Sequence, residues 1–481
     1  MPTVGMFVDI STLIEAASAG DTGQVIEIGR GLLQRGAPAG ELLGRAGITA
    51  AHADPGGHTI LTLDALTVLS RWFLSFPPLT SQEPPNHERE LPLLVQGLVA
   101  ARPALQAGKN VTNTYPQAIF PSELPEGRTV NDEIRDAIDS NNPTRAEQFL
   151  LGLHGTGADY RTIEVRAYEG IATIFQHEGH PQLFAVRGFQ MLDAVQWSKL
   201  TPDILHWLAP HLPLHSEEPA WVSIVRAYSG EPAHSLASLR TRLAAPNDES
   251  ALPLRRLILS NADTPQVCQG VYDALMKGGA SPRGVGSVIA LAAADLVESV
   301  SDSDRDSFVQ ASHGLLFAAA TRLVFKRVQD VEALPMLFTA AAYVNALQKT
   351  LDQQAGKQDM GIIPTTPFGS GLIASAMLDS LAEQLLAQDL DGAFAAARRY
   401  LRLSNDPRAL FATIGLVAAQ TDAAADQGHT LQIVQAAGEE FMAWPASLTA
   451  TGIDAFLHIA LRAVAFAKRN DLAADIQASR F

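Results

Sequence analysis

Four segments of the chain repeat one pattern, and each carries a histidine at the matching place: Gly57-His58-Thr59-Ile60-Leu61, Gly179-His180-Pro181-Gln182-Leu183, Ser312-His313-Gly314-Leu315-Leu316 and Gly428-His429-Thr430-Leu431. In each, a Gly-His or Ser-His step leads into an apolar helix. Three of these helices run to a tryptophan, Trp72, Trp197 or Trp444, and the third segment has Phe325 there. A helical core has little use for the same imidazole four times unless the imidazoles meet. The recurrence therefore predicts a chain whose equivalent segments are folded around one place.

Other markers extend the repeat. Leucine-rich helices that close on glycine precede three of the segments, at Leu32 to Gly36, Leu150 to Gly155 and Leu275 to Gly279. The fourth keeps its leucines after Tyr400 and has Asn405 where the glycine falls, a residue that also tolerates a helix-ending left-handed conformation. Gln-Ala-Gly-Lys occurs at Gln106 to Lys109 and again at Gln354 to Lys357, about 250 residues on, close to the spacing of His58 from His313 and of His180 from His429. The predicted organisation is two halves, 1–245 and 246–481, with quarters at about 1–115, 116–245, 246–365 and 366–481. The expected fold is an internally duplicated all-α protein closed around a central site.

The all-α class follows from periodicity. Apolar residues recur at helical spacing, as in Ile10, Leu13, Ile14 and Ala17, with no sustained strict alternation. A hydrophobic content of 47% with only 6% aromatic residues suits packed helices. Helix starts are marked by Ser11, Thr201-Pro202-Asp203 and Ser281-Pro282. Three stretches interrupt the pattern and are expected to be loops, acting as crossovers or lids: Phe76 to Pro92, Tyr115 to Gly127 and Gln353 to Gly371.

Charge and cysteine usage limit the function. The net charge of −16 disfavours nucleic acid and anionic membrane as partners. A single cysteine, Cys268, excludes an internal disulfide and a cysteine-type zinc site. No basic region followed by an apolar run opens the chain, and no stretch reads as a membrane span, so the expected location is cytoplasmic. No P-loop, dinucleotide fingerprint or His-Glu-x-x-His is present, and the expected cofactor is a metal, not a nucleotide.

If the quarters close around an axis, His58, His180, His313 and His429 converge on it as ligands of one transition metal. Imidazole suits iron, zinc, copper and nickel. A neutral, all-nitrogen set leaves the ion's charge uncompensated, which suits a redox ion such as Fe(II). Ligating histidines usually engage a partner with the other ring nitrogen, and Glu178, Asp54, Asp426 and Asp193 are candidates by proximity in sequence. His177, three residues before His180, and His52, before His58, are further candidates, as are His206 and His458, which recur in the second and fourth quarters. Each also has a structural reading, since a histidine after glycine can simply bond the backbone at a helix start. The tryptophans read as core anchors.

The segments from Gly179 to Asp193 and from His313 to Arg322 resemble the helical, histidine-bearing domains of questin-oxidase-like proteins, which in some bacterial proteins accompany a Rieske module. The resemblance covers about the middle half of the chain, and only His180 and His313 fall on matching positions. It implies an oxygenase acting on a bulky aromatic or polyketide-like metabolite. The Cys-x-His and Cys-x-x-His pairs of a Rieske module are missing here, so electrons would come from a separate donor or from the substrate. The expected function is thus a metal-dependent oxidoreductase, a histidine-ligated non-haem iron oxygenase for a small apolar or aromatic molecule. Two alternatives stay open: a helical-repeat binding scaffold without chemistry, its histidines far apart, and a haem protein with two axial histidines.

Overall fold

The computed structural model describes residues 4–75, 86–197, 199–213, 217–237, 239, 246–327, 331–352, 374–403 and 406–479. These residues form 22 α-helices, with no β-strand among them. The all-α class is thus established.

Four helices make the centre: His58–Arg71, His180–Ala194, Arg305–Arg327 and His429–Ala443. Each packs on the next in cyclic order, and the fourth packs on the first. Their sequences explain the position. Every residue from Ile60 to Ser70 and from Pro181 to Leu192 is buried, and a helix with apolar residues on every side has no face to give to water. Arg305–Arg327 is also long and apolar enough to cross a membrane by composition, and it is a buried core helix here.

Outer helices wrap this centre. Ala39–Ala51 and Asn86–Gly108 cover the first central helix, Pro282–Ser299 and Pro335–Asp352 the third, and Pro407–Ala418 and Asp454–Ala465 the fourth. The N- and C-terminal parts of the described chain also meet. Gln96 donates from Nε2 to the Thr421 carbonyl at 2.7 Å, and Arg30 donates to the Ser479 carbonyl at 3.1 Å. The tryptophans are core anchors, with Trp197 stacked on Phe189 at 5.5 Å and Trp72 edge-on to Phe411 at 6.1 Å.

Three expectations need correction. Ser11 does not start a helix, because the Val4–Ala19 helix runs through it. The stretch Phe76 to Pro92 is not a loop throughout, because residues 86–92 open the Asn86–Gly108 helix, which carries Pro92 and Pro103 inside it. Proline removes one backbone donor and one turn's bond, a loss that a 23-residue helix with a buried face offsets through packing. The third histidine segment, moreover, is not a helix start, since Arg305–Arg327 begins eight residues before His313. Ser312 stands where the other segments have glycine, and its hydroxyl bonds the Phe308 carbonyl at 2.7 Å, inside a continuous helix. The loop expected from Gln353 to Gly371, with the second Gln-Ala-Gly-Lys marker, lies outside the described residues.

Candidate metal centre

Three of the four histidines sit at the first position of their helix because glycine precedes them. Gly57, Gly179 and Gly428 have φ of 73°, 86° and 74°, the left-handed region that glycine enters without strain. Each is also overlain by a side chain from the next central helix, four residues past that helix's own histidine. Phe184 lies on Gly57, Phe317 on Gly179 and Thr62 on Gly428, all so close that a β-carbon would collide. The sharp turn delivers the imidazole, and the missing β-carbon lets the neighbouring helix approach.

The four imidazoles form a ring. Centroid separations are 4.9 Å from His58 to His180, 5.5 Å from His180 to His313, 4.9 Å from His313 to His429 and 5.6 Å from His429 to His58. His313 and His429 point Nε2 at Nε2 across 3.1 Å. Their other nitrogens are engaged: His429 Nδ1 donates to the Asp426 carbonyl at 2.5 Å, and His313 Nδ1 faces the Val309 carbonyl at 3.0 Å and Glu178 Oε2 at 2.9 Å. His180 Nδ1 likewise donates to the His177 carbonyl. With the proton on Nδ1, each facing Nε2 is a bare lone pair. Two lone pairs aimed at each other call for an electrophile between them. His58 adds a buried Nδ1 with no partner.

Burial and the neighbouring imidazoles push His58 down to about 4, and burial chiefly does the same to His180. His429 is lowered too, by burial and by His313. Three of the rings are therefore neutral at neutral pH, the form in which imidazole ligates. Glu178 is lowered by its bond to His313. It lies in a strained turn in which His177, Glu178 and Gly179 all have positive φ.

Ion geometry can be set against this ring. Imidazoles held at about 2.0–2.1 Å from a shared ion place adjacent nitrogens roughly 2.9–3.4 Å apart and ring centres about 4.5–5 Å apart. The His313–His429 pair meets both conditions, and the two longer sides exceed the second by about half an ångström. As placed, no three His, Cys, Asp or Glu groups among the described residues already stand in a coordinating arrangement. The buried, unpartnered His58 nitrogen and the facing lone pairs fit an ion, and the His58 ring, whose Nδ1 no hydrogen bond fixes, must turn to complete the set.

The other candidates go elsewhere. Asp54 and Asp426 do not hold imidazoles with their carboxylates. They cap helix starts, Asp54 accepting from the Ile60 amide at 3.1 Å and Asp426 from the Thr430 amide at 3.0 Å. Unsatisfied amides compete better than a ring for a carboxylate at that position. Asp193 holds the Trp197 indole at 2.7 Å. His177 is exposed and contributes its carbonyl. His52, His206 and His458 pair with Asp203 at 2.9 Å, Glu147 at 2.7 Å and Glu298 at 2.7 Å, and none joins the ring. Glu178 does reach the ring, but on His313 from the neighbouring helix, not on His180 beside it in sequence.

Sequence reasoning missed a buried polar layer below the ring, made of Asp64, Arg187, Gln190, Arg322, Gln435, Glu439 and Glu440. Single charges within all-round apolar helices were the available signal. A cavity of about 10 Å³, bounded by Leu61, Leu183, Arg187, Leu316, Gln432 and Gln435, lies between ring and layer. That is space for about one water. A larger cavity of about 570 Å³ lies between Ser229–Ala237 and Val331–Pro335 and is lined by none of the four histidines.

Comparison with protein-family models, with curated proteins and with solved structures finds no match for this chain.

Proposed function

We propose that His58, His180, His313 and His429 hold one transition-metal ion, Fe(II) in the resting protein, and that the chain is a metal-dependent oxidoreductase acting as an oxygenase on a small apolar or aromatic molecule. The observation that carries the reading is the convergence of four imidazoles from four helices, with two Nε2 lone pairs 3.1 Å apart. Neutral imidazoles suit iron, zinc, copper and nickel. When bound, such an ion supplies Lewis acidity and, for iron, electron transfer to a small ligand such as dioxygen.

The chain's own part is positioning and charge. Backbone carbonyls of His177, Val309 and Asp426 fix three rings by their Nδ1 protons, and Glu178 adds negative charge to the His313 ring, raising its basicity as a ligand. Three helix N-termini point at the site, and their positive ends favour an anionic ligand beside the ion. Phe175, Phe317 and Tyr343 pack together next to the ring, with centroids 4.4 to 5.7 Å apart, and give it a buried aromatic surround. A separate electron donor belongs to the proposal, as one buried cysteine offers no cluster of its own.

The same arrangement supports our inference that the quarters arose by duplication. The glycine of one segment takes the side chain four past the histidine of the next, three times in cyclic order. The ring favours a metal centre over a scaffold, in which the histidines would lie apart. It also favours a bare ion over haem, because the cavity beneath the ring, of about 10 Å³, is far too small for a macrocycle.

Oxygen consumption by iron-loaded protein with a panel of aromatic substrates tests the activity. Uptake that needs substrate and disappears in His313→Ala supports it, and no uptake with any substrate, by protein shown to carry iron, overturns it.

A further inference from the structure

Below the histidine ring the four central helices bury three carboxylates and two guanidiniums. Glu440 touches Arg322 directly. Glu439 accepts from Arg187 at 2.9 Å and from Gln190 Nε2 at 3.0 Å. Asp64 is left over. Its Oδ2 accepts only from the neutral amide of Gln435 at 2.9 Å, and Arg187 stands off at 3.9 Å, beyond hydrogen-bond reach. Its Oδ1 is buried without a partner, and the residue is wholly inaccessible. Arg71, on the same helix, acts on it only through its field.

We propose that Asp64 is a buried proton-carrying residue below the histidine centre, tied by Gln435 to the water-sized cavity under the ring. The proposal rests on the metal-centre reading for its purpose, though not for the protonation of Asp64.

Charge count and contact both put the proton there. Three carboxylates against two guanidiniums leave one excess negative charge, and a wholly buried carboxylate with no cation in hydrogen-bond contact takes up a proton sooner than remain ionised. Burial lifts both Asp64 and Glu440 to about 7, but Glu440 has a guanidinium in contact and Asp64 has only an amide. As an acid, Asp64 needs an acceptor for its O–H. The cavity lies one side chain away: it is bounded by Gln435, which holds Asp64 Oδ2, by Arg187, and by Leu61, Leu183, Leu316 and Gln432, each three residues past one of the four histidines, and Asp64 itself does not line it. Loss of the proton breaks the O–H bond, gives the proton to water, and leaves a carboxylate facing Gln435 and Arg187.

Infrared spectroscopy of the metal-free full chain tests this. Burial lifts Glu169 to about 7 as well, so at pH 6 the wild type should show more than one carbonyl band of protonated carboxylic acids, of which one is lost in Asp64→Asn and kept in Glu440→Gln. A spectrum unchanged by Asp64→Asn, or loss of that same band in Glu440→Gln, overturns the proposal. Asp64→Asn should melt within about 3 °C of wild type, since a neutral amide replaces a neutral acid, whereas Glu439→Gln strands Arg187 and should melt much lower. Equal losses would make Asp64 an ionised partner of Arg187 and sink the idea. Should Asp64→Asn fail to fold, the wild-type band itself should fade as pH rises through about 7. Adding Co(II) should shift the band. Cobalt bound at the histidines with the band unmoved would disconnect Asp64 from the centre, whereas no cobalt bound would count against the metal reading while the metal-free band still located the proton.

Discussion

His313 and His429 face each other Nε2 to Nε2 at 3.1 Å, from helices more than a hundred residues apart in sequence, and each ring's Nδ1 is turned to a backbone carbonyl. Two acceptors held at that distance in a buried place repel unless a cation or a proton lies between them. That relationship is the physical core of the proposed centre, and several consequences can be measured.

Gly179→Ala should be costly in a way that Gly127→Ala is not. Both glycines have positive φ, but a β-carbon at Gly179 meets the Phe317 ring while one at Gly127 meets nothing. The left-handed penalty is about 1–2 kcal/mol, and overpacking adds about 1–3 kcal/mol. Denaturant unfolding should show a loss of about 2–5 kcal/mol at Gly179 and about 1–2 kcal/mol at Gly127, and equal losses would refute the close-approach role.

Arg322 and Glu440 form a buried pair between the third and fourth central helices. Arg322→Met leaves Glu440 without its cation and should cost about 3–5 kcal/mol. The double replacement Arg322→Met with Glu440→Leu should recover much of that, since an apolar pair avoids the desolvation of both charges. A double variant no more stable than the single would contradict the pairing.

The metal-free protein should lose stability in acid through its histidines. The folded values of His58 and His180 are depressed to about 4 from 6.5, so the unfolded chain binds protons more readily. Their contribution is fully present above pH 6.5 and is lost as the pH falls through about 4. Melting temperature followed from pH 7 to 4 should decline, and the decline should be shallower in His58→Ala with His180→Ala. An unchanged slope in that variant would show that other groups carry the acid sensitivity.

Much of this could be read from the sequence because the repeat is local. The Gly-His step announces a turn and a helix start within five residues, and helical periodicity marks the class. Ser312 escaped, because a serine does not need positive φ and the helix runs through it. Glu178 was found by its closeness to His180, yet its carboxylate crosses to His313, a relation set by packing of the helices and not by spacing. Asp54 and Asp426 look the same in sequence as carboxylates that hold rings, and only their geometry shows them spent on the amides of Ile60 and Thr430. Asp64, Arg187 and Arg322 could have been suspected, as lone charges in helices with no polar face, but nothing local says which charge pairs with which.

The measurement that bears most directly on the central claim is metal content of the protein purified without a histidine tag, by plasma mass spectrometry, before and after anaerobic reconstitution with Fe(II). The four-histidine centre predicts about one equivalent of a transition metal per chain in the wild type. It also predicts loss of that metal in His313→Ala and in His429→Ala, with helical content retained. Folded wild-type protein that takes up no metal after reconstitution, or variants that keep a full equivalent, would contradict it.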